Sequence, residues 1–373
     1  MPLRKVIVGC IRSFEPRVTP SVKTLAAPVT VHFENDQVAY LDPKNELSAT
    51  RADVLDELHR ASLHVYVEVD PQSLMIVEVR VPATGHVTYL KQDPGGELDF
   101  ALDSSQRLFR LSPSNPFYGK FQEILRDAHK RHAMVILTEN DAELEIVDVR
   151  LAPNPLEPAL LEAEREAPAI LAPRLQPVTL QRARDLFDMV NGQSCDPRTG
   201  APPCIPFLYP HHGCHARAHQ MCRLIIRTGD QPGKVWNFGK LRVKTPNEPH
   251  CGITWLFHVA PVLEVSTPDT PDPQPYIVDP SLFPEPVPLE SWLAVQVDPD
   301  SRQQTTSPAP FLPVTDGRFE YDPTYDKTAK KLIECREALR LRCAEHGPPP
   351  YARCLEGATA SAVGAGQSSF TDK

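Results

Sequence analysis

The sequence predicts an α+β protein in which a small β-rich α+β domain precedes a larger mixed domain. Residues 27–83 and 133–152 carry apolar residues in alternation or in short β-branched runs, which is typical of half-buried strands. Between them, residues 117–125 place apolar side chains on one face of a helix that begins near Asn115. A proline-rich run over 152–178 then separates this region from a second set of helices and strands.

The second part of the chain has its own element signals. Thr179 is a suitable N-cap for an amphipathic helix that Gly192 ends. The other predicted elements are a helix at about 215–228, strands at 253–265 and 276–278, and a helix at 327–345. We therefore predict an N-terminal domain over 1–151, a linker over 152–178, a second domain over 179–354 and a flexible tail over 355–373. No internal repeat is recognised.

Composition and charge argue against two classes of partner. The formal net charge is −9 and no Lys/Arg-rich stripe is present, which argues against nucleic acid. No apolar run approaches membrane-spanning length, so no membrane partner is expected. The stretch before Arg12 has only a six-residue apolar core, which is too short for a secretory signal. The expected location is therefore the cytoplasm, or outside the cell by a route other than Sec export.

One cysteine stands at the predicted start of a helix, in Gly213-Cys214-His215. The odd count of nine cysteines leaves at least one free thiol. The partial positive charge at a helix N-terminus favours the reactive thiolate. The unpaired N–H groups there can hold an oxyanion, and the glycine allows close approach of a substrate. The alternative is a structural cysteine ahead of a helix.

A histidine and an aspartate follow at places that suit a catalytic triad. His258 lies inside an apolar strand, and Asp279 ends the next predicted strand. Adjacent strands would bring Asp279 to one imidazole nitrogen and leave the other facing Cys214, the arrangement used for acyl transfer. This chain order around a helix-start cysteine suits a papain-like or transglutaminase-like core. The alternatives are a core histidine and a turn-initiating Asp-Pro.

A zinc site is a weaker interpretation of the same region. It would use several histidines and cysteines: His211, His212, His215, His219, Cys204, Cys214 and Cys222. The paired spacing of structural zinc sites is absent from this set, and Cys214 is better explained as a nucleophile. We predict no metal and no other cofactor.

Several blocks of the second domain form a recognisable series. They are Gln193-Ser194-Cys195, Pro203-Cys204-Ile205, Tyr209-Pro210, Gly213-Cys214, Ala216-Arg217-Ala218-His219, Met221, Phe238-Gly239-Lys240-Leu241, Trp255, His258-Val259-Ala260 and Ile277-Val278-Asp279-Pro280-Ser281-Leu282-Phe283. In this order they resemble bacterial protein glutaminases (protein-glutamine deamidases). The resemblance covers roughly residues 178–295. It implies a cysteine-dependent amidohydrolase that converts accessible glutamine side chains of proteins or peptides to glutamate, releasing ammonia through a thioester.

The resemblance also assigns roles to individual residues. It implies that Cys214, His258 and Asp279 are catalytic, and that Cys195 and Cys204 form a disulfide.

Three neighbouring residues are candidates for contact with the substrate. Gly213 and Trp255 would border the cleft, although Trp255 also suits a core position. His215 stands where the family usually has a tyrosine and would change the pocket beside the nucleophile.

Upstream, Phe109 to Val149 faintly resembles the family's pro-region, which covers the active site until proteolysis removes it. The N-terminal domain is therefore expected to be an inhibitory pro-domain of a zymogen, with a permanent accessory domain as the alternative. A pro-region of this family normally accompanies secretion, which favours export.

Two other functions use the same residues. The first is a transglutaminase or cysteine peptidase, and the second is a non-catalytic effector or binding protein.

Overall fold

The protein is described by a computed structural model that covers residues 4–18, 25, 27–140, 144–153, 175–268, 272–314 and 318–354. Most of the predicted linker, at 154–174, and the predicted tail at 355–373 lie outside the described residues. No helix within the described ranges is long and apolar enough to span a membrane.

The first 80 residues form a sheet-and-helix unit. Its elements are β1 (Lys5–Gly9), β2 (Ile11–Glu15), β3 (Val29–Phe33), β4 (Val38–Leu41), α1 (Ser48–Arg60), β5 (Val65–Val69) and β6 (Ile76–Arg80). β1 pairs with β5, which pairs with β6, while β2 pairs with β3, which pairs with β4. Helix α1 buries Ala52, Leu55 and Leu58 in one cluster with the sheet residues Val31 and Val67.

The next 70 residues repeat this arrangement. The elements are β7 (Ala83–Gln92), β8 (Leu98–Leu102), β9 (Leu108–Leu111), α2 (Tyr118–Arg131), β10 (Met134–Asn140) and β11 (Glu145–Leu151). The strand order is β11-β10-β7-β8-β9. β7 pairs with β10 through its first half and with β8 through its second half. In the first copy, β1 and β2 take the place of these two halves, since β1 pairs with β5 and β2 pairs with β3. The sequence interpretation missed this internal repeat.

The C-terminal part contains the remaining helices and strands. They are β12 (Val178–Thr179), α3 (Leu180–Asn191), α4 (Cys214–Arg227), β13 (Gly233–Lys244), β14 (Gly252–Ser266), β15 (Gln274–Ile277), β16 (Val287–Pro288), α5 (Leu289–Ala294), β17 (Gln296–Val297), β18 (Arg302–Thr306), β19 (Pro310–Pro313), β20 (Phe319–Tyr321) and α6 (Asp326–His346). β13 and β14 pair over most of their length and form the centre of a seven-stranded sheet. Helix α4 packs Met221 and Ile225 against α3 and against Leu263 of β14.

The predicted helices and strands of this part agree closely with the structure. Thr179 caps α3, since its hydroxyl oxygen accepts a hydrogen bond from the Arg182 N–H at 3.1 Å. Helix α4 includes Cys214 as its first residue, one position earlier than predicted. In the N-terminal part, α2 begins at Tyr118, and the Asn115 side chain accepts from the Phe117 N–H in the turn just before it.

The first repeat packs on the last helix of the chain. Glu57 of α1 pairs with Arg336 of α6 at 2.5 Å, and Asp53 pairs with Arg340 at 3.4 Å. Both arginines are buried, whereas Glu57 and Asp53 are partly exposed, so these ion pairs are only partly shielded from solvent and salt. They join α1, near the start of the chain, to α6, near its end.

Two disulfides are present. One joins Cys195 to Cys204, as the family resemblance implied, and the second joins Cys251 to Cys354. The free thiols are those of Cys10, Cys214, Cys222, Cys335 and Cys343. Cys214 is thus available for chemistry.

Candidate active site

The backbone at Gly213 places Cys214 at the start of α4. Gly213 has a φ of +85°, which an L-residue with a side chain rarely adopts. A Cβ at this position would also lie 2.6 Å from the sulfur of Cys335. Glycine is therefore required here for backbone conformation and for packing on α6.

His258 lies in β14 next to the cysteine. The backbone N–H of Val259, the residue that follows it, points to the Cys214 sulfur. The His258 Nε2 atom lies 2.7 Å from Oδ2 of Asp279, and both side chains are 1% exposed. Its other nitrogen, Nδ1, has no hydrogen-bond partner among the described residues. The structure thus pairs His258 with Asp279 and places Cys214 against the strand that carries His258.

Asp279 reaches His258 because the chain after β15 runs alongside β14. β15 pairs antiparallel with β14, Val262 opposite Ile277. The next residue, Val278, donates its N–H to the carbonyl of Pro261 at 3.0 Å. Asp279 follows directly, so the register of this strand pair sets its position relative to the imidazole.

Two tryptophans enclose the His258 imidazole. Trp255 stacks on it with ring centres 4.5 Å apart, and Trp292 of α5 stacks with ring centres 5.3 Å apart. The indole N–H of Trp292 also donates to Oδ2 of Asp279 at 2.9 Å. Trp255 therefore contacts the imidazole directly, and Trp292 is a site residue that the sequence interpretation missed. The only sequence signal for Trp292 was its residue type, which is usually buried, near the end of the segment that resembles protein glutaminases.

Burial dominates the ionisation of the cysteine. Removal from water raises the pKa of the Cys214 thiol to about 12, despite the opposing effects of Arg217 and of the Val259 N–H. The helix N-terminus does act in the expected direction, since the His215 N–H lowers the pKa of the thiol, but burial has the larger and opposite effect. Burial also raises the pKa of the Asp279 carboxyl, but the His258 charge and the hydrogen bonds from His258 and Trp292 leave it below its usual value.

Replacing Trp292 by phenylalanine tests the hydrogen bond to Asp279. The variant keeps an aromatic ring beside His258 but removes a donor to a carboxylate, a contact typically worth about 1.5–3 kcal/mol. We expect kcat/KM to fall by about 10- to 100-fold. The acid limb of the pH–rate profile should move to higher pH, because losing the donor raises the pKa of Asp279. Trp255→Phe, which removes only a bond to the Pro210 carbonyl, should leave that limb in place.

A glutamine of the second repeat also enters the site. Gln106 lies between β8 and β9, and its side chain is fully buried. Its Oε1 atom accepts a hydrogen bond from the Cys214 backbone N–H at 3.3 Å. The sequence interpretation found no candidate site residue in the N-terminal domain, because nothing in the local pattern distinguishes Gln106 from any other polar loop residue.

The other histidines and cysteines that the sequence pointed to are held in packing, hydrogen-bond or disulfide contacts. His215 is buried edge-on against Phe311, with ring centres 5.0 Å apart, and burial lowers its pKa well below the usual value. His219 lies 2.8 Å from the Lys234 ammonium, and burial followed by that charge lowers its pKa to about 4. Cys204 is in a disulfide. Within the described ranges, no group of three or more His, Cys, Asp or Glu side chains is arranged to hold a metal ion.

The segment that holds the site matches a family model. Residues 183–296 match the family model described as glutaminase. The resemblance to glutaminases is thereby confirmed for the segment that holds Cys214, His258 and Asp279. No curated protein matches the chain.

Solved structures of pro-protein-glutaminase have a similar fold. One is 21% identical with a TM-score of 0.52, and a mutant form is 22% identical with a TM-score of 0.51. Each match covers 73% of this chain and 97% of the other. The chain thus has the mixed α/β fold of those structures, and the match extends beyond the glutaminase segment.

Alkylation of the native, uncleaved chain tests the burial of Cys214. We expect labelling of Cys214 to be about 100-fold or more slower than that of an exposed thiol, because the thiolate is scarce and covered. The rate should rise about tenfold per pH unit near neutrality, since a thiol with a raised pKa stays mostly protonated there. Peptide mapping should also find Cys195, Cys204, Cys251 and Cys354 unlabelled until reduction. Rapid labelling of Cys214 would contradict the closed arrangement.

Proposed function

We propose that the chain is a protein-glutamine glutaminase that hydrolyses glutamine side-chain amides through a thioester on Cys214. The observation that carries this proposal is the contact between the Gln106 carboxamide oxygen and the Cys214 N–H, 3.3 Å apart. A glutamine side chain therefore fits beside the nucleophile, with its carbonyl oxygen against a helix N-terminus. That is the position in which an oxyanion would be stabilised.

Each residue of the site has one task in the proposed mechanism. His258 accepts the Cys214 proton at Nδ1, the nitrogen left without a partner. Asp279 accepts a hydrogen bond from Nε2 and so fixes the tautomer and orientation of the ring. The sulfur attacks the side-chain carbonyl carbon of glutamine, and the Cys214 N–H stabilises the oxygen as it gains charge.

Collapse of this intermediate releases ammonia, which takes a proton from His258. Water, activated by the neutral imidazole, then attacks the thioester and yields glutamate and the free thiol. Proton transfer by a positioned base typically contributes about 10²- to 10⁴-fold. The stacked rings of Trp255 and Trp292 hold the imidazole in one plane for both transfers.

The substrate is proposed to be an extended, accessible segment of a protein or peptide. β14 pairs with β15 only from Val262 onward. Nearer to the site, this edge is met by a bridge from Arg107 to Trp255 and by a bond from the Leu256 N–H to the Gln106 carbonyl. A cavity of about 1030 Å³ lies beyond it, lined in part by Thr254 and Ile253. A bound strand would add to this edge by main-chain hydrogen bonds.

We further propose that residues 1–151 form an inhibitory domain and that 152–178 is the site of proteolytic activation. Gln106 and Arg107 occupy the edge that a substrate strand would use. Arg107 is 5% exposed and pairs with Glu139 of its own repeat at 2.6 Å. It also contacts His211 of the C-terminal part. A buried charge held from both sides would keep the loop in place.

Product analysis separates this proposal from the alternatives. After cleavage in 152–178, incubation with a glutamine peptide should give ammonia and glutamate in equal amounts. An asparagine peptide should react far more slowly, because its carboxamide is one methylene nearer to the backbone. Glutamine–lysine crosslinks would indicate a transglutaminase, and chain cleavage a peptidase. No reaction at all, with Cys214 unreactive, would indicate a binding protein.

A further inference from the structure

The Gln106 side chain is held in the orientation of a substrate. A backbone N–H can only donate, so the carboxamide atom that faces the Cys214 N–H is the oxygen, Oε1. The nitrogen, Nε2, must then point the other way, and it has no hydrogen-bond partner among the described residues. A fully buried amide nitrogen without a partner is costly. This loop therefore places an energetically unfavourable group beside the Cys214 nucleophile.

The main chain fixes this orientation. The Gln106 carbonyl accepts from the Leu256 N–H at 2.7 Å. The next residue, Arg107, forms an antiparallel bridge with Trp255, whose ring stacks on His258. The loop is thus added to β14 as a short strand, and the register sends the side chain of position 106 toward Cys214.

The corresponding loop of the first repeat has no such role. It joins β3 to β4 through a tight turn, in which the Phe33 N–H donates to the Gln37 carbonyl at 2.9 Å. Residues Glu34 to Asp36 of this turn are exposed. The two repeats share a topology, but only the loop between β8 and β9 carries a glutamine into the site.

We propose that Gln106 is a substrate of its own chain, deamidated once by Cys214 in cis. This inference rests on the proposed function. The thiol proton passes to His258, and a bond forms between the Cys214 sulfur and Cδ of Gln106. The Cδ–Nε2 bond breaks, and ammonia leaves with a proton from His258. Water then attacks Cδ, the sulfur leaves and regains its proton, and position 106 becomes a glutamate.

The reaction would weaken the docking of the N-terminal domain. The new carboxylate would replace an uncharged amide in a fully buried position. The Asp279 charge already acts on Cys214 at this site, so a second negative charge there is unfavourable. Once 152–178 is cut, the deamidated loop would therefore leave the β14 edge more readily, so the reaction in cis would prepare the chain for later substrates.

Peptide mapping by mass spectrometry of the uncleaved, purified chain tests this inference. We expect the peptide that contains position 106 to gain about 1 Da in the wild type, as amide becomes acid. Cys214→Ala should retain glutamine there, which excludes spontaneous conversion. Gln92 is exposed on β7 and should remain glutamine. Only a reaction between two chains would bring it to a Cys214 sulfur. A Cys214→Ala chain mixed with active wild type should also keep Gln106 intact.

Gln106→Asn is the matched variant, since its carboxamide is one methylene too short to reach the sulfur. It should keep asparagine at this position and open more slowly after proteolysis than the wild type. If the cleaved enzyme deamidates an added peptide while aged, uncleaved chain still has glutamine at 106, the inference is wrong and the proposed function stands. If neither is deamidated, both are wrong. A glutamate at 106 in Cys214→Ala as well would also overturn the inference.

Discussion

Replacing Cys214 by alanine is expected to abolish ammonia release from a glutamine peptide. The sulfur forms the bond that every later step depends on, and loss of such a nucleophile typically lowers kcat by about 10⁴-fold or more. His258→Ala should be nearly as severe, and Asp279→Ala should cost orders of magnitude because the imidazole loses its fixed tautomer. Ammonia release by equal amounts of cleaved wild type and cleaved variants measures the effect.

Cys222→Ala is the matched control. Cys222 lies two turns along the same helix, is also buried, and has a free thiol whose pKa burial raises to about 11. Its sulfur contacts only a backbone carbonyl, that of Gly233 at 3.8 Å, among the polar groups described. The variant should therefore remain active. Wild-type turnover by Cys214→Ala, or equal losses in both variants, would show that the sulfur of Cys214 has no chemical role.

Proteolysis between the two halves is expected to raise activity strongly. Gln106 and Arg107 occupy the β14 edge, so an added peptide binds only in the fraction of chains that are open. If about one chain in a hundred is open, release of the N-terminal domain should raise the rate by up to about 100-fold. Trypsin is a suitable protease because 152–178 contains Arg165 and Arg174.

The measurement is a time course of ammonia release from a short glutamine peptide before and after trypsin. The control is a chain with Arg165→Gln and Arg174→Gln, which trypsin cannot cut within this stretch and which should stay slow. An unchanged rate on the short peptide after complete cleavage would contradict inhibition. It would favour an accessory domain that acts only on a protein partner.

The sequence singled out three residues of the candidate site because they occupy recognisable local positions. Cys214 begins a helix, while His258 and Asp279 lie in or just after apolar strands. Local pattern and family resemblance agree there. Trp292 was missed because its contact with Asp279 depends on how α5 packs, which no periodicity encodes.

Local sequence patterns did not predict the repeat in the N-terminal part or the raised pKa of Cys214. The two copies of the repeat in the first 151 residues are offset by 70 positions, so that Leu55 in α1 corresponds to Leu125 in α2 and both are buried, but other aligned positions differ, as between Arg51 and Phe121. The pKa of Cys214 depends on its burial in the folded protein, where its neighbours include Gln106, more than a hundred residues away in sequence. The helix N-terminus lowers the pKa of the thiol as expected, but local sequence does not show the burial that outweighs it.

Hydrolysis in water enriched in heavy oxygen tests the central claim most directly. If Cys214 forms a thioester with the glutamine side chain and water resolves it, one heavy oxygen should enter the new side-chain carboxylate. The glutamine residue of the peptide should then gain about 3 Da, against about 1 Da in ordinary water. Fragmentation should place the label on that side chain alone. Label at a newly formed backbone carboxyl terminus, or a crosslinked product without label, would contradict the account.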